Sequence, residues 1–174
     1  MPVVTPLVRP LELAGSPPVP PAASGPEAPA PVRLRIDAIA VDTALSPLRL
    51  RPDGAIEVPP DPARAGWYAN GPAPGAAGPA VIVGHLDSAT GPAVFARLAE
   101  LRAGDEVRVA RADGSELRFT VQRSATFPVA DFPAGDVYGV TAEAALRLIT
   151  CGGDFDLAQR RYRSNVVVFT GLAA

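Results

Sequence analysis

The sequence contains no lysine: all 16 basic residues are arginine, set against 18 acids for a net charge of -2. Without a basic surplus there is no electrostatic footprint for nucleic acid or for an anionic membrane surface. A single cysteine excludes an internal disulfide, and with a single histidine it cannot make a structural zinc site unless carboxylates join at unrecognisable spacing. No metal and no cofactor are expected. No apolar run approaches the roughly 20 residues needed to span a bilayer, and the start lacks the basic-then-apolar layout of a signal peptide. The chain is therefore either cytosolic or exported by a segment outside this sequence.

What the chain has in excess is proline. Residues 1–31 hold ten of the 21 prolines, mixed with small residues in Gly15-Ser16-Pro17-Pro18-Val19-Pro20-Pro21-Ala22-Ala23-Ser24-Gly25-Pro26. That composition favours extended, solvated backbone with little to bury, so residues 1–31 read as a flexible or semi-rigid tether ahead of one folded domain at 32–174. At Val32 the pattern switches. Val32, Leu34 and Ile36 alternate with Arg33, Arg35 and Asp37, as in a half-buried strand.

From there the chain reads as short strands. Residues 38–45 continue or bend the first one, Asp53-Gly54 turns into a short strand at 56–58, and residues 63–68 predict one helical turn carrying Trp67. The run Ala80-Val81-Ile82-Val83-Gly84 predicts a strand buried on both faces. Val94, Phe95, Leu98 and Leu101 have the spacing of a short helix over 92–101. Residues 105–110 and 116–127 predict a hairpin about Asp113-Gly114, and residues 141–145 a brief helix before the next strand. After a loop over 152–164, Val166-Val167-Val168-Phe169-Thr170 predicts a central strand. Many short strands with one or two small helices indicate a mostly antiparallel barrel or sandwich.

The only cysteine lies in Leu146-Arg147-Leu148-Ile149-Thr150-Cys151-Gly152-Gly153. Strand alternation sends Leu146, Leu148 and Thr150 to one face and Arg147, Ile149 and Cys151 to the other. The thiol then sits at a strand end, where the glycines permit a sharp turn and leave space in front of the sulfur. A free cysteine is more often an inert buried side chain. To act as a nucleophile, with a free pKa of about 8.5, it needs a base or a positive field. His85, at the end of the 80–84 strand, could be the base. The arginines at 160, 161 and 163 could supply the field: at about 4 Å and an effective dielectric of 20, a guanidinium favours a thiolate by at most ~4 kcal/mol. A donor to an oxyanion is worth ~3 kcal/mol. The same residues equally suit a structural histidine and a solvated arginine face.

Five segments taken together resemble a known family: Gly66-Trp67-Tyr68, Val81-Ile82-Val83-Gly84-His85-Leu86-Asp87, Gly91-Pro92-Ala93-Val94-Phe95, Leu148-Ile149-Thr150-Cys151-Gly152-Gly153 and Asn165-Val166-Val167-Val168. In this order they are similar to the sortases, specifically the class F group of Gram-positive actinobacteria, over about residues 32–174. The resemblance implies a mostly β fold, a closed eight-stranded barrel with one or two short helices. It implies a cysteine transpeptidase that cuts an LPXTG-like C-terminal sorting signal of a secreted protein through a thioacyl intermediate. The acyl group then passes to an amine of cell-wall precursor or another protein.

Carried over residue by residue, Cys151 is the nucleophile and His85 the acid and base. Thr150 helps shape the substrate groove. Arg163, twelve residues after the cysteine, is the arginine; Arg161, which shares its parity on an extended chain, is the fallback, and Arg160 points the other way. Asp87 either orients His85 or caps its loop. The resemblance further implies a monomer on the outer side of the cell membrane, with no nucleic-acid partner, anchored by an N-terminal segment absent from this sequence. The competing readings are a catalytically silent extracellular peptide-binding barrel and a different cysteine peptidase pairing His85 with Asp87.

Overall fold

The structure is a computed structural model that describes residues 28–174. The expected tether therefore lies outside the described residues up to position 27. The alternating segment at its end forms β1 (Pro31–Ile36), and a 3-10 turn at Asp37–Ile39 reverses the chain into β2 (Val41–Leu48). There follow β3 (Ala65–Tyr68), β4 (Gly78–Val83) and a two-rung hairpin of β5 (Asp87–Ser88) with β6 (Gly91–Pro92). Next come β7 (Glu106–Arg111) and β8 (Glu116–Pro128), the expected hairpin, with Gly114 at φ +87° in its turn. A five-residue helix, α1 (Ala134–Tyr138), precedes β9 (Ala144–Asp156) and β10 (Arg161–Leu172).

Eight of these strands close a barrel in the order β1-β2-β3-β4-β9-β10-β8-β7. Closure leaves no open sheet edge. Most pairings are antiparallel; β2 with β3 and β4 with β9 are parallel. Strand alternation divides the apolar residues between two cores. Leu34, Ile36, Val107, Phe119, Leu146, Leu148, Val166 and Val168 fill the barrel, joined by Phe95 and Leu98. On the outside, Val81, Val83, Ile149, Val167 and Phe169 form a second core capped by Val137 and Tyr138 of α1 and by Ile56. Burial on both faces of β4, as its unbroken apolar run predicts, follows from this.

Four local expectations are corrected. Of residues 63–68, expected as a helical turn, Ala65–Tyr68 form strand β3 instead, because pairing with β2 on one side and β4 on the other satisfies their backbone groups. Residues 56–58 make only an isolated bridge, Leu50 to Ile56. Over 92–101 a single 3-10 turn forms, Leu98–Glu100, since β6 takes the first residue and too few remain to offset helix nucleation. The helix expected at 141–145 forms earlier, as α1, and β9 already begins at Ala144.

Candidate active site

β4 and β9 run side by side in parallel, with Ile82 paired to Leu148 and Val83 to Ile149. Two residues beyond that last rung stand His85, just past the end of β4, and Cys151, at the matching level inside β9. The Gly84 amide still bonds the Ile149 carbonyl at 3.2 Å, and the Phe95 amide bonds the His85 carbonyl at 2.9 Å, so the histidine backbone is held on both sides. Glycine is required before it: a Cβ on Gly84 would lie 2.7 Å from the Phe95 ring and 2.8 Å from Val94.

The imidazole is half-buried, and its Nε2 lies 2.6 Å from the Pro59 carbonyl oxygen. A carbonyl only accepts, so in the neutral ring Nε2 carries the proton and donates it. Nδ1 is left as the nitrogen able to take a proton.

Cys151 is half-buried against the second core, and the expected separation of faces holds: Leu146 and Leu148 enter the barrel while Ile149 and Cys151 face outward. Burial first, and then the negative charge of Asp87, push the thiol up to about 11. It is therefore neutral at physiological pH.

The cysteine does not end its strand. β9 continues to Asp156, and only residues 157–160 turn. What the two glycines provide is a bulge. Tyr162 pairs with Phe155 and Ser164 with Gly152, so Gly153 and Asp154 together oppose Arg163. Gly153 sits at φ +70°, a conformation that suits glycine. Such a bulge increases local twist and re-aims side chains.

Beyond it, Tyr162 packs edge-on against Phe155 with ring centres 5.0 Å apart, and donates its hydroxyl to Asp87 Oδ2. Burial first, and then the bond to the Asp87 carboxylate, push the Tyr162 phenol up to about 12. Asp87 thus engages Tyr162; the described hydrogen bond of His85 goes to Pro59.

The remaining expected residues are placed as follows. Thr150 is fully buried on the barrel side of β9, opposite to Cys151, and its hydroxyl has no partner among the described residues. Arg163 is exposed and its guanidinium bonds Asp156 at 3.3 Å, while Arg161 is partly buried. Arg160 takes φ +52° in the turn. Three contributors were not singled out as site residues from sequence: Pro59, Tyr162 and Asn165. Asn165 had a visible signal, being the one polar residue at the head of a buried apolar run. No group of three or more His, Cys, Asp or Glu side chains that could hold a metal occurs among the described residues.

Several solved structures share the fold. One is the sortase D5 transpeptidase of Clostridium perfringens, 18% identical, with 83% of this chain and 79% of that one covered and a TM-score of 0.60. Another is sortase A of Listeria monocytogenes, 15% identical, covering 85% and 89% at a TM-score of 0.60. A third is sortase A of Corynebacterium diphtheriae, 18% identical, covering 85% and 62% at 0.63. At these identities the likeness is one of fold. No curated protein matches the chain. The sequence profile of the sortase domain, however, matches residues 34–173, from within β1 through the end of β10, and on that ground the chain belongs to the sortase domain family.

Proposed function

We propose that this protein is a cysteine transpeptidase of the class F type that cleaves an LPXTG-like sorting signal and transfers the acyl fragment to an amine. The observation that carries the reading is the parallel register of β4 and β9, which sets the only histidine, just past the end of β4, level with the only cysteine, inside β9.

The geometry supports one order of proton movements. Because the thiol is neutral in the free protein, attack on the scissile carbonyl requires its proton to leave, and Nδ1 of His85 is the free acceptor. As the S–C bond forms and the scissile C–N bond breaks, the imidazolium returns that proton to the departing amine. In the second half His85 accepts a proton from the incoming amine as its nitrogen attacks the thioacyl carbon and expels sulfur. With no amine present, water does the same slowly.

Arg163 is assigned the oxyanion, with Arg161 as the alternative. Its bond to Asp156 is an ion pair with the arginine largely in solvent, a kind that holds weakly, so the guanidinium is free to turn toward substrate. Thr150, fully buried on the barrel side of β9 behind Cys151, is assigned to shape the substrate groove from within. Residues 1–31 are assigned the role of a tether, and the enzyme is assigned to the outer side of the cell membrane. Among the described residues no helix is long and apolar enough to cross a membrane.

One observation favours a second reading, a silent peptide-binding barrel: the thiol is neutral and half-buried. Cleavage of a sorting-signal peptide library, with and without added amines, separates the two. The transpeptidase reading expects products that depend on Cys151 and change from acid to amide when an amine is added; retention of intact peptide by both wild type and Cys151→Ala would support the silent barrel.

A further inference from the structure

Asn165 is directly paired with Cys151 across the β9–β10 ladder. Directly opposed residues of an antiparallel pair put their side chains on one face with Cβ atoms about 4.5–5.5 Å apart. The asparagine is 2% exposed, and its Nδ2 is a buried donor with no partner among the described residues. A buried amide without an acceptor opposes folding, and native structures rarely keep one without a reason. Leucine has a similar volume and would remove the penalty. On its other side Asn165 pairs with Phe127 of β8, whose ring packs in the second core and offers a carboxamide no strong acceptor.

The acceptor that is missing in the free protein arises during the reaction. A thiol sulfur accepts hydrogen bonds weakly, whereas a thiolate accepts them strongly. We infer that Asn165 is a positioning residue that holds its side-chain amide ready for the Cys151 sulfur whenever negative charge develops there. The inference rests on Cys151 being the nucleophile proposed above. The charge appears first when the S–H proton passes to His85, and again when the C–N bond to the amine forms and the C–S bond of the thioacyl group breaks. Other charged or titratable groups at this end of the sheet include His85 beyond β4, Arg64 before β3, Asp87 on β5, Asp131 after β8, Asp154 and Asp156 on β9, and Arg161, Tyr162 and Arg163 on β10. Of these, Asp87 acts on the thiol unfavourably to thiolate. A neutral donor on the opposite strand offsets it.

The test compares wild type with Asn165→Leu, read by the rate of Cys151 alkylation by iodoacetamide across pH and by thermal melting. The expected result is a melting temperature equal to or above wild type together with alkylation slower by about tenfold or more, the scale of one hydrogen bond to a charged group. Asn165→Gln, with the amide retained, should recover part of the rate. If Leu does not fold, Asn165→Ala makes the same comparison. Equal alkylation rates in wild type and the folded donor-free variant would overturn the inference. Because alkylation needs no sorting signal, this outcome is independent of peptide turnover: an absence of any thioacyl adduct in wild type would count against the transpeptidase reading instead.

Discussion

The Tyr162 hydroxyl donates a hydrogen bond to the carboxylate of Asp87, joining the loop just after His85 to the strand that carries the arginines. The bond spans 75 residues of sequence and ties together two of the three chain segments expected to carry the chemistry. It also fixes a negative charge close enough to Cys151 to oppose thiolate formation.

Removing that charge should therefore make the thiol more acidic. Asp87→Asn is expected to lower the midpoint of Cys151 alkylation from about 11, leaving burial as the remaining cause. At a fixed pH near 8 the variant should alkylate several-fold faster than wild type. An unchanged or higher midpoint in a rate-against-pH series would show that the carboxylate does not act on the sulfur.

The same shifts determine how stability depends on pH. The thiol is raised in the fold from its ordinary value near 9 to about 11, so between those values the folded protein keeps a proton that the unfolded chain has lost. Its contribution is fully present below about 9 and lost as pH rises through about 11. Tyr162, raised from 10 to about 12, acts in the same direction over a higher window. Thermal melts from pH 8 to 11 should show a fall that is shallower in Cys151→Ala.

Among the candidate catalytic groups, the loss on substitution should be graded. Cys151→Ala and His85→Ala remove the nucleophile and the proton acceptor and should abolish peptide cleavage. Arg163→Ala should lower kcat/KM by roughly 100-fold or more, as for an oxyanion donor. Asp87→Asn should cost less than Arg163→Ala. The reverse order would favour a cysteine peptidase in which Asp87 supports His85. Steady-state kinetics on one sorting-signal peptide decides between them.

The bulge at Gly153 should be intolerant of a side chain. An added Cβ would meet the Ser164 side chain at 2.8 Å, and a left-handed backbone costs a non-glycine residue about 1–2 kcal/mol. Gly153→Ala should lower stability by at least that amount in urea unfolding. It should also weaken the Tyr162–Asp87 contact, visible as a shift in the Cys151 alkylation midpoint.

The alternating and unbroken apolar runs made β1, β4, β7, β8 and β10 readable in advance, because burial on one or both faces of a strand writes itself into residues two apart. The outward face of Cys151 and the strand end of His85 followed from the same alternation. β3 was not readable: four residues, Ala65–Tyr68, are strand only because β2 and β4 stand on either side of them. The short helix at 92–101 failed for the converse reason, since Phe95, Leu98 and Leu101 are buried at helical spacing without a helix to hold them. In the site, alternation alone places Tyr162 on the face away from Cys151. Its hydroxyl nonetheless reaches Asp87, and the bulge of β9 lies between its rung and that of Ser164. Asp87 could be named from sequence as a neighbour of His85, but its partner lies 75 residues on, and no local pattern encodes that contact.

The central claim is that the Cys151 sulfur forms a covalent acyl bond with a cleaved peptide. Intact-mass spectrometry of the protein mixed with an LPXTG-type peptide, quenched in acid without added amine, reads that bond directly. The account predicts an added mass equal to the fragment ending at the scissile residue less one water, located on Cys151, absent from Cys151→Ala and discharged on adding an amine. Peptide cleavage that proceeds equally in Cys151→Ala, or a wild-type protein that never acquires the mass while its thiol remains open to alkylation, would contradict it.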